Sequence, residues 1–320
     1  MKRKTWRYVG IALVTMGLLT VALRMDQPQQ KSLEIGIIQL IEQEPLDKVR
    51  TGFIDKLQQE GYQEGKNLHI RYRNANGDQA NLTSIAQQFI GRHTLNLAIT
   101  TVAAQAMLQS DQQTPLIFSP ITDPKQAKLV KAWDHPQTNA TGTSDQVPMD
   151  QLLNHFQAAF PKMRRLGMIY NASEANSKGQ FERLKEEGAK RGLSVVGQTI
   201  ANTNDVATAI KSLALKVDGM VLPTDNTITS AIPIIAATVK ETNIPVMGSD
   251  AAQLEACVAT YGVDYYTLGR QAGRMATQIL RGQKSPNDLP VETAKRFELT
   301  LNPAFAEQLH VTQADFEEGK

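Results

Sequence analysis

The stretch LEIGIIQLIEQEPLDKVRTGFIDKLQQEG, residues 33–61, sets the fold class of this chain. Its opening run, residues 33–39, is apolar and rich in β-branched side chains, which predicts a buried strand. From Asp47 onward the apolar residues recur at the spacing of one helix face, and Gly61 predicts the end of that helix. The residues on this face are Val49, Phe53, Ile54 and Leu57. A strand followed by an amphipathic helix is the unit of a parallel sheet with crossover helices.

The same alternation continues along the rest of the chain. In the first half it predicts strands over 67–73, 95–100 and 115–119, with helices over 80–92 and 103–110. In the second half it predicts strands over 165–170, 193–199, 219–223 and 245–248, with helices over 177–191, 205–215 and 229–241. A last strand over 258–262 leads into a helix over 265–281. This pattern is typical of two lobes, each built on its own parallel sheet.

We therefore expect an α/β fold with two doubly wound parallel-sheet lobes around a hinge, preceded by an N-terminal apolar helix. Residues 122–150 contain Pro124, Pro136 and Pro148 and lack clear periodicity, so they are predicted to form the first crossing between the lobes. The predicted boundaries assign residues 1–31 to a signal-anchor and linker, 32–147 plus about 250–285 to lobe 1, and 148–249 plus about 286–320 to lobe 2.

Composition excludes several classes of protein. Of the 320 residues, 41% are hydrophobic and 21% are charged, which is typical of a globular chain and unlike a disordered or polytopic membrane protein. Cys257 is the single cysteine of the sequence, so neither an intramolecular disulfide nor a thiolate metal cluster can form. Cys257 lies beside the apolar predicted strand over 258–262 and is predicted to be a buried, unreactive thiol.

The basic charge of the chain lies at its N-terminus. Four cations, Lys2, Arg3, Lys4 and Arg7, precede an uncharged stretch over residues 8–23. The formal net charge is +2, but without residues 1–31 there are 28 basic and 31 acidic residues, a net charge of −3. We expect no nucleic-acid binding. The sequence favours an uncleaved N-terminal helix that holds the body on the extracellular side of the cell membrane, with secretion after signal cleavage as the alternative.

The sequence offers no set of residues typical of an enzyme. Neither a glycine-rich nucleotide fingerprint nor a phosphate-binding loop follows the first predicted strand. The histidines are scattered singly without ligand spacing, so we expect no metal and no cofactor. They are His69, His93, His135, His155 and His310. The chain is predicted not to be an enzyme.

Polar side chains are concentrated where the predicted strands end. In open parallel sheets the carboxyl ends of the strands form the ligand crevice. The predicted ligand-binding residues at these ends are Gln39, Glu42, Thr101, Ser119, Thr122, Asn171, Glu174, Asn176, Ser177, Thr224, Asp225, Asn226 and Asp250. The same residue types are preferred helix N-caps, so capping and ligand contact both remain open at each position. Together they suit a small zwitterion, whose carboxylate binds helix N-terminal amides and whose ammonium binds carboxylates.

At these residues the chain resembles, over residues 33–315, the substrate-binding proteins of ABC importers of the tryptophan/tyrosine type. The matching motifs are GDQANL (77–82), IAQQF (85–89), AAQA (103–106), TDP (122–124), TGTSD (141–145), YNASEANS (170–177), VLPTDNT (221–227) and ATYGVDYY (259–266). The resemblance implies a type I periplasmic-binding-protein fold. The sequence departs from the family pattern at Gln43, where a histidine is usual, and at Val102, where a proline is usual.

The resemblance implies capture of an amino acid, tryptophan or tyrosine, between two lobes and its delivery to ABC permease subunits in the membrane. We predict that Thr101 and the amides of Val102 and Ala103 bind the carboxylate, with Thr122 and Ser144 nearby. Asp225 or Glu174 is predicted to bind the ammonium, and Phe118 and Tyr170 are candidates for an aromatic wall. The body is expected to be monomeric. The alternative is a membrane-tethered ligand-sensing domain that signals to a partner protein.

Overall fold

The computed structural model describes residues 32–317, in which two six-stranded sheets each form the centre of an α/β lobe. In lobe 1 the strands are β1 (Leu33–Gln39), β2 (Leu68–Asn74), β3 (Leu95–Ile99), β4 (Leu116–Phe118), β5 (Ala140–Ser144) and β11 (Glu292–Thr293), in the order β11-β5-β4-β3-β1-β2. All neighbouring pairs are parallel. The helices of this lobe are α1 (Glu44–Gln59), α2 (Gln79–Phe89), α3 (Thr101–Ser110) and α9 (Tyr265–Leu280).

Lobe 2 repeats this plan with an antiparallel edge strand. Its strands are β6 (Arg165–Asn171), β7 (Ser194–Ile200), β8 (Gly219–Leu222), β9 (Val246–Gly248), β10 (Ala259–Gly262) and β12 (Glu298–Leu301), in the order β12-β10-β9-β8-β6-β7. Only β10 and β12 pair antiparallel among these strands. Its helices are α4 (Met149–Ala159), α5 (Ala175–Lys190), α6 (Val206–Ala214), α7 (Asn226–Ser230), α8 (Ile232–Thr242) and α10 (Pro303–Gln308).

The chain crosses between the lobes three times within the described residues. The crossings join β5 to α4, β10 to α9 and β11 to β12. The predicted boundaries differ from sheet membership in two places: β10 belongs to the second sheet, and β11 belongs to the first. Both strands are short and lie next to a crossing, so their hydrophobic pattern does not indicate which sheet they join.

Close packing of two helices holds the returning chain onto lobe 1. Gly269 of α9 lies against Val49 of α1, and Gly52 of α1 lies against Tyr266 of α9. A Cβ atom on either glycine would overlap a backbone carbonyl oxygen of the facing helix. The two backbones approach this closely because neither glycine carries a side chain.

The described structure contains elements that the sequence pattern does not predict, among them strand β5, helix α4 and helix α10. Strand β5 lies inside residues 122–150, which we interpreted as a crossing, and helix α4 (Met149–Ala159) begins at the end of that segment, where no helix was predicted. The sequence of β5, ATGTS, has no large apolar side chain although every residue of it is buried. The predicted N-terminal apolar helix lies outside the described residues. Among residues 32–317, none of the helices has both the length and the hydropathy needed to cross a membrane.

Candidate functional site

A narrow cavity lies between the two lobes, at the carboxyl ends of the strands. The cavity volume is about 30 Å³, and the empty space amounts to about 400 Å³ when the part open to solvent is included. Lobe 1 and lobe 2 both contribute polar groups, and Pro45, Leu46 and Pro120 add apolar surface. The other lining residues are Gln43, Thr100, Thr101, Thr122, Asp145, Asn176, Thr224, Asp225, Asn226, Thr229, Asp250 and Tyr265. The described residues hold no cluster of three or more metal-ligating side chains.

The N-terminus of α3 forms one wall of this cavity. Thr100 is the N-cap of α3, and its hydroxyl accepts a hydrogen bond from the Ala103 amide at 3.4 Å. The backbone of Thr100 adopts φ 94° and ψ 155°, a region that β-branched residues rarely occupy. This conformation brings Thr100 and Thr101 together on the cavity wall. The first amides of a helix lack acceptors within the helix, so this wall is suited to an anionic group.

Two buried acceptor atoms in the cavity lack a hydrogen-bond partner among the described residues. Asp145, just after β5 in lobe 1, is 3% exposed, and Asn176, in the first turn of α5 in lobe 2, is 7% exposed. Their Oδ1 atoms have no donor. The Asn176 amide is oriented by its Nδ2 group, which donates to the Thr224 carbonyl at 2.9 Å. Because an unpaired buried acceptor is costly, the two atoms point to a donor supplied by a ligand.

The cavity is acidic. Burial and the Asp250 carboxylate together raise the pKa of Asp145 to about 6, although the neighbouring Thr122 hydroxyl and Arg183 oppose the shift. Burial also raises the pKa of Asp250, although the Ala252 amide and the Tyr265 hydroxyl both donate to its carboxylate at 2.9 Å. Carboxylates whose pKa values are raised by burial are stabilised by a cation in the same space.

Asp225 and Glu174 have a different environment. The Asp225 carboxylate accepts hydrogen bonds from the Asn171 and Ile228 amides, both at 2.9 Å, and from the Ser177 hydroxyl. Glu174 accepts from the backbone amides and side chains of Asn226 and Thr227. Burial and the nearby Glu174 raise the pKa of Asp225. Their oxygens are thus occupied by protein donors, which supports a role in shaping the loop that follows β8.

The structure brings seven of the predicted ligand-binding residues to the cavity wall. They are Thr101, Thr122, Asn176, Thr224, Asp225, Asn226 and Asp250. The others lie behind the wall or away from it: Gln39, Glu42, Val102, Ala103, Ser119, Ser144, Asn171, Glu174 and Ser177. Several of these brace lining residues, as Ser144 does by donating its hydroxyl to the Thr122 carbonyl at 3.0 Å.

The two predicted aromatic walls lie elsewhere. Phe118 is fully buried in the core of lobe 1, and Tyr170 stacks on Phe181 with ring centroids 4.7 Å apart. Tyr265, the first residue of the predicted helix over 265–281, is the aromatic residue that lines the cavity instead. Cys257 is buried as predicted, and burial raises its thiol pKa well above the ordinary value.

Five polar or aromatic lining residues are absent from the predicted ligand-binding residues: Gln43, Thr100, Asp145, Thr229 and Tyr265. Gln43 precedes α1, and its Nε2 donates across the cleft to the Ser230 hydroxyl at 2.8 Å and to the Asn226 carbonyl at 3.3 Å. Thr100 directly follows β3, which was predicted, and Asp145 directly follows β5, which was not. Asp145 is the last residue of the TGTSD motif (141–145), so the family resemblance already included this position.

Comparison with known proteins gives a consistent result. The family model described as "ABC transporter substrate binding protein" matches residues 34–316. The tyrosine-binding protein of Clostridioides difficile is 38% identical over 281 residues, which cover 87% of this chain and 81% of that protein.

Two solved structures clarify how the lobes are arranged. An ABC domain from Streptococcus pneumoniae in complex with L-Trp matches with a TM-score of 0.85 at 31% identity, covering 90% of this chain and 99% of that one. A ligand-free, open substrate binding protein from Clostridium difficile matches with a TM-score of only 0.71 at 37% identity, covering 88% of this chain and 96% of that one. The lobes are therefore arranged more like the liganded structure than the open one.

Proposed function

We propose that this chain, which belongs to the family of ABC transporter substrate binding proteins, captures an amino acid between its two lobes. The observation that carries the proposal is the pair of buried, unpartnered oxygens of Asp145 and Asn176 in one cavity. They come from opposite lobes. A group that donates to both is bound only when the lobes are together, which couples binding to closure.

The ligand's ammonium group satisfies these two acceptors. An ammonium has three N–H donors, and its positive charge neutralises the buried Asp145 carboxylate. Its third donor faces the remaining cleft groups, among which Asp250 and Thr224 are candidates. This assignment replaces Asp225 and Glu174 as the proposed ammonium partners, because protein donors already bind the oxygens of both.

The ligand's carboxylate lies against the N-terminus of α3. Thr101 lines the cavity, and the amides at the start of α3 supply hydrogen bonds and the positive end of the helix dipole. Thr100 keeps the chain in the strained conformation that exposes these groups. Carboxylate and ammonium thus bind at different walls, which is the arrangement that an α-amino acid requires.

The proposed side chain of the ligand is aromatic. Pro45, Leu46, Pro120 and the ring of Tyr265 provide the apolar surfaces of the cavity. Flat apolar surfaces and an aromatic ring favour an aromatic side chain over a charged one. The named relatives support this choice, since one is a tyrosine-binding protein and another was solved with L-Trp. We propose tryptophan or tyrosine as the ligand.

We further propose that the protein works outside the cytoplasm and delivers its ligand to the permease subunits of an ABC importer. Membership of the family supports the permease partnership. The cations before residue 8 and the apolar stretch over 8–23 support tethering to the cell membrane by an uncleaved N-terminal helix. Detection of the full-length chain in the membrane fraction, with its N-terminal sequence intact, tests the tether.

Calorimetric titration of the purified protein tests the ligand. The panel contains the twenty amino acids and, for tryptophan and tyrosine, the matching amines without a carboxylate and acids without an ammonium. We expect saturable binding of tryptophan or tyrosine and loss of binding for both kinds of truncated analogue. Binding of none of the amino acids, or equal binding of the acids that lack an ammonium, contradicts the proposal.

A further inference from the structure

Arg183 of α5 extends from lobe 2 to lobe 1 beside the cleft. Its guanidinium Nη1 lies 3.2 Å from Oδ2 of Asp123, which follows β4 in lobe 1. The two side chains are 22% and 20% exposed. Arg183 thus forms a partly buried ion pair between the lobes, separate from the residues that line the ligand cavity.

The Asp123 carboxylate is oriented by a hydrogen bond within its own lobe. Its Oδ1 accepts a hydrogen bond from the Gln126 amide at 2.9 Å, within its own lobe. The Gln126 side chain in turn lies against Gly179 of α5, so closely that a Cβ atom there would overlap it. The contact between α5 and the loop after β4 is therefore tight at a second point, one helical turn from Arg183.

The hinge supplies a second partner for the guanidinium. With its amide oxygen turned toward Arg183, Gln146 accepts from Nε at 3.0 Å and from Nη1 at 3.1 Å. Gln146 directly follows Asp145 in the first crossing between the lobes. Lobe 1, lobe 2 and the hinge thus meet at one side chain.

These contacts depend on closure. Asp123 and Arg183 lie on different lobes, so opening the cleft separates them and returns both charges to water. Burial of Arg183 lowers its pKa, while Asp123 and Asp145 oppose that effect. The cost of desolvating Arg183 in the closed state is therefore offset by these carboxylates only while they face it.

We propose that Arg183 is a positioning residue that latches the lobes in the closed state through its ion pair with Asp123. The latch forms whenever the lobes close, in the ligand-free protein as well as in the complex, and the ligand enters while the lobes are apart. Its removal therefore increases the rate of ligand release and leaves the rate of association nearly unchanged. This inference rests on the proposed capture of a ligand between the lobes.

The variants Arg183→Gln, Asp123→Asn and the double variant test the latch. Arg191→Gln is the matched control, because Arg191 lies at the end of the same helix and pairs with Glu187 inside lobe 2 at 2.9 Å. Stopped-flow binding of the amino acid that binds the wild-type protein gives the two rate constants. We expect each single variant to release ligand about tenfold faster, as for a close charge pair across an interface. The double variant is expected to release ligand no faster than either single variant, and Arg191→Gln is expected to release it at the wild-type rate.

Small-angle X-ray scattering of the ligand-free proteins tests closure without any ligand. We expect a larger radius of gyration for Arg183→Gln and Asp123→Asn than for the wild type and for Arg191→Gln. If no amino acid binds, the proposed function fails, yet the scattering still tests the latch. Wild-type release rates in both single variants, additive effects in the double variant, or unchanged radii of gyration would overturn it. Asp123→Asn keeps the test valid if Arg183→Gln does not fold, since each variant lies on a different lobe.

Discussion

Replacing Asp145 by asparagine removes the charge that faces the proposed ammonium group and preserves the shape of the side chain. Asp145 is buried and its Oδ1 has no donor among residues 32–317, so we expect the ligand's ammonium to donate a hydrogen bond to it. A hydrogen bond to a charged group contributes about 1.5–3 kcal/mol. The substitution is therefore expected to weaken binding of the amino acid by about 10- to 150-fold.

The same residue predicts how affinity depends on pH. Burial raises the pKa of Asp145 to about 6, so the carboxylate that binds the ammonium is fully charged at pH 8 and mostly protonated at pH 5. If only the ionised form binds, the dissociation constant increases about tenfold between pH 7 and pH 5. In Asp145→Asn this dependence is expected to disappear.

Calorimetry at pH 5, 6, 7 and 8 measures both effects in one series. Asp134→Asn, a substitution of an exposed aspartate in lobe 1, is the matched control and is expected to bind like the wild type. Wild-type affinity in Asp145→Asn, or the same pH dependence in both proteins, would refute the assignment of the ammonium to Asp145.

Three further predictions concern stability. The ligand-free protein is expected to melt at a higher temperature at pH 5 than at pH 8, because the raised pKa values of Asp145 and Asp225 mean that the folded state binds more protons than the unfolded state. A melting temperature that increases toward pH 8 in differential scanning fluorimetry would contradict this sign. Thr100→Gly is expected to increase the free energy of unfolding in urea by about 1 kcal/mol, since glycine adopts φ 94° without strain; a decrease would be inconsistent with strain at this residue. Gly269→Ala is expected to lower the same free energy by about 2–3 kcal/mol through its overlap with Val49, and an unchanged urea midpoint would argue against the tight helix contact.

The strand-end rule predicted the location of the site from sequence because parallel strands deliver their carboxyl ends to one edge of each sheet. Thr101, Thr122 and the segment 224–226 all lie on the cavity wall for this reason. The two sheets and most of their helices could also be predicted, since their apolar residues follow the periods of buried strands and amphipathic helices.

The same rule could not separate ligand contacts from caps. Asp225 and Asp145 both follow strands, but only the packed structure reveals that protein donors bind the oxygens of Asp225 and leave Oδ1 of Asp145 free. Strand β5 was missed because small threonine and glycine side chains produce no hydrophobic pattern, and Asp145 was missed with it. The role of Gln43 depends on a contact with residues more than 180 positions away, which no local pattern encodes.

A crystal structure of this protein with its tightest-binding amino acid tests the proposed binding mode. We expect the ligand to lie between the lobes, with its ammonium within hydrogen-bond distance of Oδ1 of both Asp145 and Asn176 and its carboxylate at the N-terminus of α3. A ligand bound outside this cavity, or one whose ammonium faces neither oxygen, would contradict this binding mode.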